Sequence, residues 1–284
     1  MIKETSLLMY NNMYQRIVSL APSNTEILYS LGAADKLVAC TRYCDFPEKA
    51  KKKPRIGGWL DINDELVKKY NPDLLLTSTF VQNRITQKYK KSKMNIVALM
   101  PTTLKGVFDS INRIGKLVGK EDEALELADS MKNQFNEIQN TIKNQRFLGH
   151  RKSERFSSET KLKKKPRVYV EEWHKPPTVS GNWVPTLVKM AGGRYDLIKA
   201  GVHSREVTTG QMQEYDPEII IVSICGMSDK VPKEWITKRK GWENLSAVKN
   251  NKVYVFDDSW LNRPGPRLIV GAEKLREVVN LENF

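Results

Sequence analysis

The sequence predicts an α/β fold of two lobes, each built on a parallel sheet, joined by one long linking α-helix. Three observations predict it: continuous apolar strands alternate with helices, this pattern recurs in the second half, and a long amphipathic helix separates the halves. A chain of 284 residues is long enough for two cores. The predicted parts are an N-terminal lobe at 1–118, the linking helix at 119–145, a flexible basic loop at 146–166 and a C-terminal lobe at 167–284.

The first lobe opens with a strand, a tight turn and a helix. "RIVSL" at 16–20 is an apolar strand, and the following "APSNTEILYSLGA" predicts a helix with Ser23 as its N-cap and Gly32 at its end. Further strands are predicted in "KLVAC", "DLLLTST" and "NIVAL", and a helix is predicted over 103–118. Strands that are apolar at every position, with helices between them, indicate a parallel sheet covered on both faces.

The second half repeats this order. "RVYVEEW" at 167–173 matches the first strand, and "GNWVPTLVKMAGG" is a helix that ends in glycine. "YDPEIIIVSI" matches "YNPDLLLTST", which places Pro217 and Pro72 at corresponding points. Two lobes with similar connectivity are therefore predicted, although any α/β protein contains strand-helix-strand units.

The predicted linking helix lies in residues 121–145, which contain neither proline nor glycine. Its apolar residues recur at helical spacing and form one stripe: Ala124, Leu127, Ala128, Met131, Phe135, Ile138 and Ile142. The polar and charged segment that follows has no periodicity, so it is predicted to be the exposed loop.

Several functional classes are excluded or disfavoured by composition. No apolar run approaches the roughly 18 residues of a membrane-spanning helix, and the first residues as written do not form a secretory signal. The net charge of +14 is spread along the chain without a nucleic-acid-binding motif, so no nucleic-acid partner is expected.

The cysteines and histidines give weak signals of metal binding. Three cysteines are too few and too scattered for a disulfide framework, which agrees with a reducing compartment. Cys40 and Cys44 lack the second ligand pair of a zinc site, so no metal site is predicted. A neutral imidazole at His174 or His203 could coordinate a metal held inside a ligand, but hydrogen bonding near the pocket is the commoner role.

Residues that follow the predicted strands indicate a ligand site, because parallel α/β sheets bind ligands at the carboxyl ends of their strands. Four of the six tryptophans fall at strand ends or in the loops after them, where they offer large flat apolar surfaces. The predicted ligand-binding residues are Tyr43, Cys44, Trp59, Trp173, His174, Trp183, Cys225, Trp260 and Arg263. The stretch "VEEWHKPPTVSGNWVP" is best interpreted as the wall of a pocket.

Catalysis is disfavoured. Ser180 or Ser204 with a histidine would need the nucleophile elbow Gly-x-Ser-x-Gly, which the sequence lacks. Glu171 and Glu172 point to opposite faces of a strand, so they are not expected to act as an acid/base pair. Neither glycine-rich phosphate-binding motif occurs.

The motifs and their order resemble the iron-chelate and vitamin B12 periplasmic-binding family, the substrate-binding components of ABC importers. The resemblance runs from about Arg16 to the carboxyl end, interrupted by the 146–166 loop, and it rests on "RIVSLAPSNTEILYSLGA", "TRYCDFPEKAKKKPRIGGW", "YNPDLLLTST", "SGNWVPTLVKMAGG" and "VKNNKVYVFDDSWLNRPGPRLI". "EEWHKPP…SGNW" and "NRPGPR" are most similar to the cobalamin-binding branch. The resemblance implies two Rossmann-like lobes joined by one helix, with the ligand in the cleft between them.

The resemblance also implies roles for individual residues. Tyr43 and Trp59 match aromatic positions that contact the corrin, and Glu65 matches the acidic residue of the first lobe that docks on the permease. Gly210 occupies the position of the corresponding acidic residue in the second lobe, and Glu206 lies close enough to substitute. The cobalamin binder of the family has a tryptophan in its second lobe, and this position falls near Ser204 here. Trp173, Trp183 or Trp260 would therefore have to supply the stacking surface of that tryptophan.

The expected function is that of a monomeric, non-enzymatic binding protein without a cofactor of its own, which carries cobalamin or a related corrinoid to an ABC permease. His174 is a candidate ligand to the corrinoid cobalt. A ferric-siderophore binder, for which Arg42, Arg205 and Arg263 are the available cleft arginines, and a cytosolic corrinoid-handling protein are the alternatives. The location is extracytoplasmic if a signal or anchor precedes this sequence, and cytoplasmic if Met1 is the true start.

Overall fold

The computed structural model describes residues 13–153 and 164–281. This part of the chain divides into two compact units after Ser130, and Pro264–Pro266 belongs with the first unit. The predicted lobe boundaries at 118 and 167 stay predictions. Among the described residues, no helix is both long enough and apolar enough to cross a membrane.

The first sheet has four parallel strands in the order β2-β1-β3-β4. Their bounds are Ile17–Ser19 (β1), Leu37–Cys40 (β2), Leu74–Ser78 (β3) and Ile96–Leu99 (β4). β1 and β3 are buried at every position because helices cover both faces, as the continuous apolar runs predicted.

Four helices accompany this sheet: Pro22–Ser30 (α1), Asp64–Lys69 (α2), Asn83–Lys91 (α3) and Leu104–Val118 (α4). Thr103 caps α4, since its side chain accepts a hydrogen bond from the backbone of Gly106. Ser23 was wrongly predicted to cap α1. The N-cap is Ala21, because Pro22 already has the backbone angle of a first helical residue, and Ser23 lies inside the first turn.

The linking helix is longer than predicted and spans Glu121–Ser153 (α5). Six of its seven apolar positions up to Ile142 are buried, as the stripe predicted. Residues 146–153 are therefore helical and not part of a loop, which corrects the prediction. They contain no proline, and extending an existing helix by one residue costs far less than starting a new one, so one glycine does not end it. Residues 154–163 of the predicted loop lie outside the described residues.

The second sheet has five strands in the order β7-β6-β5-β8-β9. Their bounds are Val168–Trp173 (β5), Thr178–Val179 (β6), Arg205–Glu206 (β7), Ile219–Val222 (β8) and Val253–Val255 (β9). β5, β8 and β9 are parallel, whereas β6 and β7 run antiparallel at one edge. The sheet is therefore mixed and not wholly parallel, which corrects the prediction. The antiparallel strands β6 and β7 were not predicted because strands of two residues are too short to leave an apolar pattern in the sequence.

Five further helices follow: Val184–Met190 (α6), Thr209–Tyr215 (α7), Glu234–Thr237 (α8), Ser246–Lys249 (α9) and Leu268–Leu281 (α10). α10 packs against α6. Thr208 and Gln211 form a capping box at the start of α7.

Each unit contains the same arrangement where a helix leads into a central strand. Asn71 and Asp216 precede the matched prolines with φ of 41° and 42°. Arg16 Nε donates to the Asn71 carbonyl at 2.9 Å, and Arg167 Nε donates to the Asp216 carbonyl at 2.7 Å. The predicted correspondence of Pro72 and Pro217 is confirmed by these shared contacts.

Candidate ligand-binding site

The carboxyl edge of the first sheet exposes an unusual concentration of apolar side chains. Six of the ten large exposed hydrophobic residues of the described chain lie in the loops at this edge, each at least 40% exposed. We call them the apolar edge: Tyr43, Phe46, Leu60, Phe80, Val81 and Met100. Exposed apolar surfaces are typical of binding sites, and the position of these residues agrees with the rule for parallel α/β sheets.

Tyr43 and Trp59 both lie at this edge, as predicted. Tyr43 is 44% exposed, and the Arg42 guanidinium carbon lies 6.0 Å from the centre of its ring. Arg42 also forms a 2.5 Å ion pair with Asp61, so its charge is compensated. Trp59 is half-buried and its carbonyl accepts a hydrogen bond from Gln82.

Gln82 fixes the loops that carry this edge, and sequence analysis did not single it out. Its buried amide donates to the carbonyls of Leu20 and Trp59 at 2.8 and 2.9 Å, and it accepts from the backbone of Ser78 at 2.8 Å. Leu20 follows β1 and Ser78 ends β3, so one side chain ties three loops together. Nothing in the local sequence distinguishes this glutamine from a surface residue.

Thr79 is a strained residue at the end of β3. Its φ is +67°, which is unfavourable for a β-branched residue, and its buried hydroxyl has no hydrogen-bond partner in the structure. Such strain concentrates at ligand sites. The strained residue directly precedes Phe80 and Val81 of the apolar edge.

Cys44 is fully buried, and this corrects its prediction as a ligand contact. Its sulfur lies 3.2 Å from the Thr41 hydroxyl, inside the turn whose surface residue is Tyr43. The turn that follows β2 points its aromatic ring outwards and its thiol inwards.

In the second unit, β5 ends in Trp173, whose side chain is 50% exposed. Its indole Nε1 donates to the carbonyl of Lys175 at 3.1 Å, within the Pro-Pro turn that joins β5 to β6. One polar contact thus orients a large exposed aromatic surface at the end of a central strand. This geometry suits the predicted pocket wall.

Behind this surface lies a buried ion pair. The carboxylate of Glu171 is fully enclosed and accepts two 2.6 Å hydrogen bonds from Arg239 and one of 3.1 Å from Tyr169. The Arg239 guanidinium stacks 4.2 Å from the ring centre of Trp242. Arg239 was not singled out in the sequence because nothing there connects it with Glu171.

His174 is held by this ion pair. Its ring stacks on Trp235 with centres 4.4 Å apart, and its Nδ1 lies 2.6 Å from Arg239 Nη2. Because arginine can only donate, Nδ1 is the acceptor and the proton is on Nε2. Burial, followed by the positive charge of Arg239, lowers the pKa of His174. With Nδ1 committed to Arg239, coordination of a metal by His174 would have to use Nε2 and would require loss of its proton.

Glu172 points to the other face of the strand, and its partners differ from those of Glu171. Its carboxylate accepts hydrogen bonds from Ser180 at 2.9 Å and Ser204 at 2.5 Å. Burial raises the pKa of Glu172, although the two serine hydroxyls and the neighbouring His203 oppose this. The two glutamates are thus in separate environments.

Of the remaining predicted contacts in the second unit, Trp183 needs correction. It is 3% exposed and donates from Nε1 to the Leu261 carbonyl at 2.7 Å, so it is a core residue. Trp183 is the N-cap of α6, directly before Val184. Cys225, Trp260 and Arg263 are partly exposed. Burial raises the pKa of the Cys225 thiol, which keeps it protonated.

The two predicted docking acids are both on the surface. Glu65 is in the first turn of α2, with a side chain 83% exposed, and it forms an exposed ion pair with Lys68 at 3.0 Å. Glu206 is exposed in the short edge strand β7. In the part of the chain that the structure describes, no three histidine, cysteine or acidic side chains form a group able to hold a metal ion.

Comparison with known sequences places this arrangement among transport proteins. The chain is 29% identical over 279 residues to the uncharacterized ABC transporter substrate-binding lipoprotein YvrC of Bacillus subtilis, covering 95% of this chain and 81% of that protein. It is 27% identical over 265 residues to the vitamin B12-binding protein of Vibrio campbellii, covering 91% and 87%.

Solved structures agree. A possible iron-binding, periplasmic solute-binding protein from Staphylococcus epidermidis matches with a TM-score of 0.73 at 27% identity, over 94% of this chain and 98% of that one. The periplasmic vitamin B12-binding protein BtuF of Vibrio cholerae matches with a TM-score of 0.72 at 22% identity, over 95% and 98%, which shows the shared fold.

The model of the family described as periplasmic binding protein matches residues 17–259. Members of this family are binding components of transport systems and not enzymes. The match covers both sheets and most of the chain. The protein therefore belongs to the periplasmic binding protein family and is a substrate-binding component of an ABC importer.

Proposed function

We propose that the transported ligand is cobalamin or a related corrinoid. The observation that carries the proposal is the apolar edge, which offers a broad, largely uncharged surface. A corrinoid is a large macrocycle with a periphery of neutral amides, so it matches aromatic surfaces with few charges. The vitamin B12-binding relative, aligned over most of both chains, supports the same ligand class.

The charged residues also favour a neutral ligand over an anionic ferric siderophore. Arg42 is paired with Asp61. Arg205 donates to the carbonyls of Leu197 at 2.7 Å and Glu206 at 3.0 Å. Arg42 and Arg205, which were considered for an anionic chelate, therefore already bind protein groups.

A ferric chelate is the second candidate. It is favoured by the similarity to the S. epidermidis protein described as possibly iron-binding. An iron-bearing macrocycle or a neutral hydroxamate would also contact the apolar edge. An extracytoplasmic location accompanies both candidates, because the B. subtilis relative is a lipoprotein and the solved relatives are periplasmic. No observation supports the cytosolic corrinoid-handling alternative.

The ligand site is tested by a visible-absorption titration with cyanocobalamin and cobinamide. The test variant is Tyr43→Ser combined with Phe80→Ser, which removes two rings of the apolar edge. The matched control is Leu125→Ser, because Leu125 is 52% exposed on α5. We expect saturable binding that is at least about tenfold weaker in the double variant, equivalent to about 1.4 kcal/mol, and unchanged in the control. Equal affinity in all three proteins would contradict the assignment of the apolar edge.

We further propose that Glu65 and Glu206 dock on the permease. Charge reversal by Glu65→Lys is expected to reduce stimulation of the permease ATPase while leaving ligand affinity unchanged. Glu48→Lys is a suitable control, since Glu48 is also an exposed, lysine-paired glutamate of the first unit. Equal effects of the two substitutions would show a general charge effect and not docking.

A further inference from the structure

Cys40 and Cys44 form a buried thiol pair that ligand binding does not explain. Cys40 ends β2, Cys44 follows four residues later, and both side chains are fully buried. The two sulfurs are within hydrogen-bonding reach of each other. The backbone of Cys44 donates to the Thr41 carbonyl at 3.1 Å, so a tight turn brings the two side chains together.

The two sulfurs lie among hydrogen-bonding groups inside the fold. Arg55 Nη1 donates to Cys40 Sγ at 3.0 Å, and the Thr41 hydroxyl lies 3.2 Å from Cys44 Sγ. Burial raises the pKa of Cys44, but its hydrogen bonds with Cys40 and two threonines outweigh burial and lower it. The pKa of Cys40 is raised by the hydrogen bond with Cys44 and by burial. In the folded protein the acidity of the two thiols is thus set by their mutual hydrogen bond and by burial.

Arg55 would remain satisfied if the sulfurs changed their state. Besides Cys40, its guanidinium donates to the carbonyls of Thr41 at 2.7 Å, Cys44 at 3.0 Å and Ala50 at 3.2 Å. Its hydrogen bonds to the turn therefore do not depend on a free thiol. Loss of the thiol protons would leave the scaffold around the turn intact.

We propose that Cys40 and Cys44 are joined by an intramolecular disulfide bond when the chain folds outside the cytoplasm. The bond would close the turn that carries Arg42 and Tyr43, and would restrict a loop of the apolar edge. Extracytoplasmic compartments supply the oxidants that the cytoplasm lacks. This inference rests on the proposed location, but the chemistry of the pair can be tested without it.

The oxidant is a protein or small-molecule disulfide. The thiolate of one of the two cysteines attacks a sulfur of this disulfide and releases the first thiol. The other cysteine then loses its proton and attacks the protein sulfur of the mixed disulfide, which releases the second thiol. Two cysteine thiols become one disulfide, and the oxidant receives two electrons and two protons. Because both sulfurs are enclosed in the folded protein, the exchange takes place before the turn is buried.

The test is oxidative refolding of the full chain in a mixture of reduced and oxidised glutathione. The product is denatured and alkylated with N-ethylmaleimide, and its intact mass is measured by mass spectrometry. The sequence contains three cysteines, so the reduced chain takes three adducts and the oxidised chain is expected to take one, on Cys225. Trypsin cleaves after Arg42, between the two cysteines, so the disulfide appears as two linked peptides.

Two controls keep the experiment decisive. Cys225→Ser should still yield the linked peptides, whereas Cys44→Ser should not. The main comparison uses wild-type protein, so it does not depend on whether a variant folds. The folded, reduced protein should resist oxidation because its thiols are enclosed. Three adducts after refolding to the native circular dichroism spectrum would overturn the proposal. A stable glutathione adduct or a bond to Cys225 would overturn it as well.

Discussion

Arg239 donates two hydrogen bonds of 2.6 Å to the fully buried carboxylate of Glu171, which lies 68 residues earlier in the chain. The same guanidinium donates to His174 Nδ1 and stacks on Trp242. One arginine thereby neutralises a buried charge and sets the orientation of the turn that follows β5. Glu171 and His174 flank Trp173 in the sequence, so this contact fixes the residues on both sides of the predicted pocket wall.

The first prediction concerns the cost of breaking this pair. Arg239→Ala leaves a buried carboxylate without a counter-charge, and we expect the free energy of unfolding to fall by about 3–5 kcal/mol. The double variant Glu171→Gln with Arg239→Met should recover most of this loss, because it removes both charges. Lys274→Ala, in the exposed pair with Glu277, should cost less than about 1 kcal/mol. Urea denaturation measures all three, and an equal cost for Arg239 and Lys274 would contradict the account.

The second prediction is a pH dependence due to His174. Its folded-state pKa is lowered by burial and by Arg239, so the folded protein takes up the proton at lower pH than the unfolded chain does. The stabilising contribution is present above the unfolded pKa of about 6.5 and is lost as pH falls through the folded value. Between pH 7 and pH 5, wild type should therefore lose more stability than His174→Asn. Parallel pH profiles from chemical denaturation would refute this assignment.

The third prediction compares the matched residues Asn71 and Asp216. Both have a positive φ that glycine adopts without strain. The Asn71 side chain has no hydrogen-bond partner among the described residues, so Asn71→Gly should change stability by less than about 1 kcal/mol. Asp216 accepts from the backbone and the hydroxyl of Ser246 at 2.7 Å each, so Asp216→Gly should cost about 1–3 kcal/mol. Thermal denaturation of the two variants should separate them clearly, and equal losses would show that the matched positions depend only on backbone geometry.

The fourth prediction uses two helical glycines. A Cβ at Gly115 in α4 would overlap that of Ala124 and lie 2.7 Å from the Lys120 carbonyl, so Gly115→Ala should cost about 1–3 kcal/mol. At Gly210 in α7 the nearest atom would be 4.0 Å away, and Gly210→Ala should stabilise by up to about 1 kcal/mol. Melting temperatures should shift in opposite directions, and a stabilised Gly115→Ala would disprove the close approach of α4 and α5.

Much of the fold could be predicted because its central elements leave strong patterns. The buried strands β1, β3 and β8 are largely apolar runs, β5 begins with one at 168–170, and α4 and the first part of α5 have clear apolar stripes. The strands β6 and β7 have two residues each, which is too short for any pattern. Residues 146–153 of α5 have no apolar periodicity in the sequence, so they were predicted to be part of a loop.

The candidate site was predicted less completely, because exposure is decided by distant contacts. Tyr43 and Trp173 are exposed at strand ends as expected. Cys44 and Trp183 also follow strands in the sequence, yet their side chains are buried in the core. Gln82 and Arg239 act through partners far along the chain, and one sequence contains no signal of such pairing.

The corrinoid is the proposed cargo of this importer component. Isothermal titration calorimetry of the apoprotein with cyanocobalamin, haemin and a ferric hydroxamate, under one set of conditions, tests this claim most directly. We expect a one-to-one complex with cyanocobalamin and at least about 100-fold weaker binding of both iron compounds, equivalent to about 2.7 kcal/mol. Tight binding of an iron compound without binding of cyanocobalamin would contradict the assignment and make a ferric chelate the ligand.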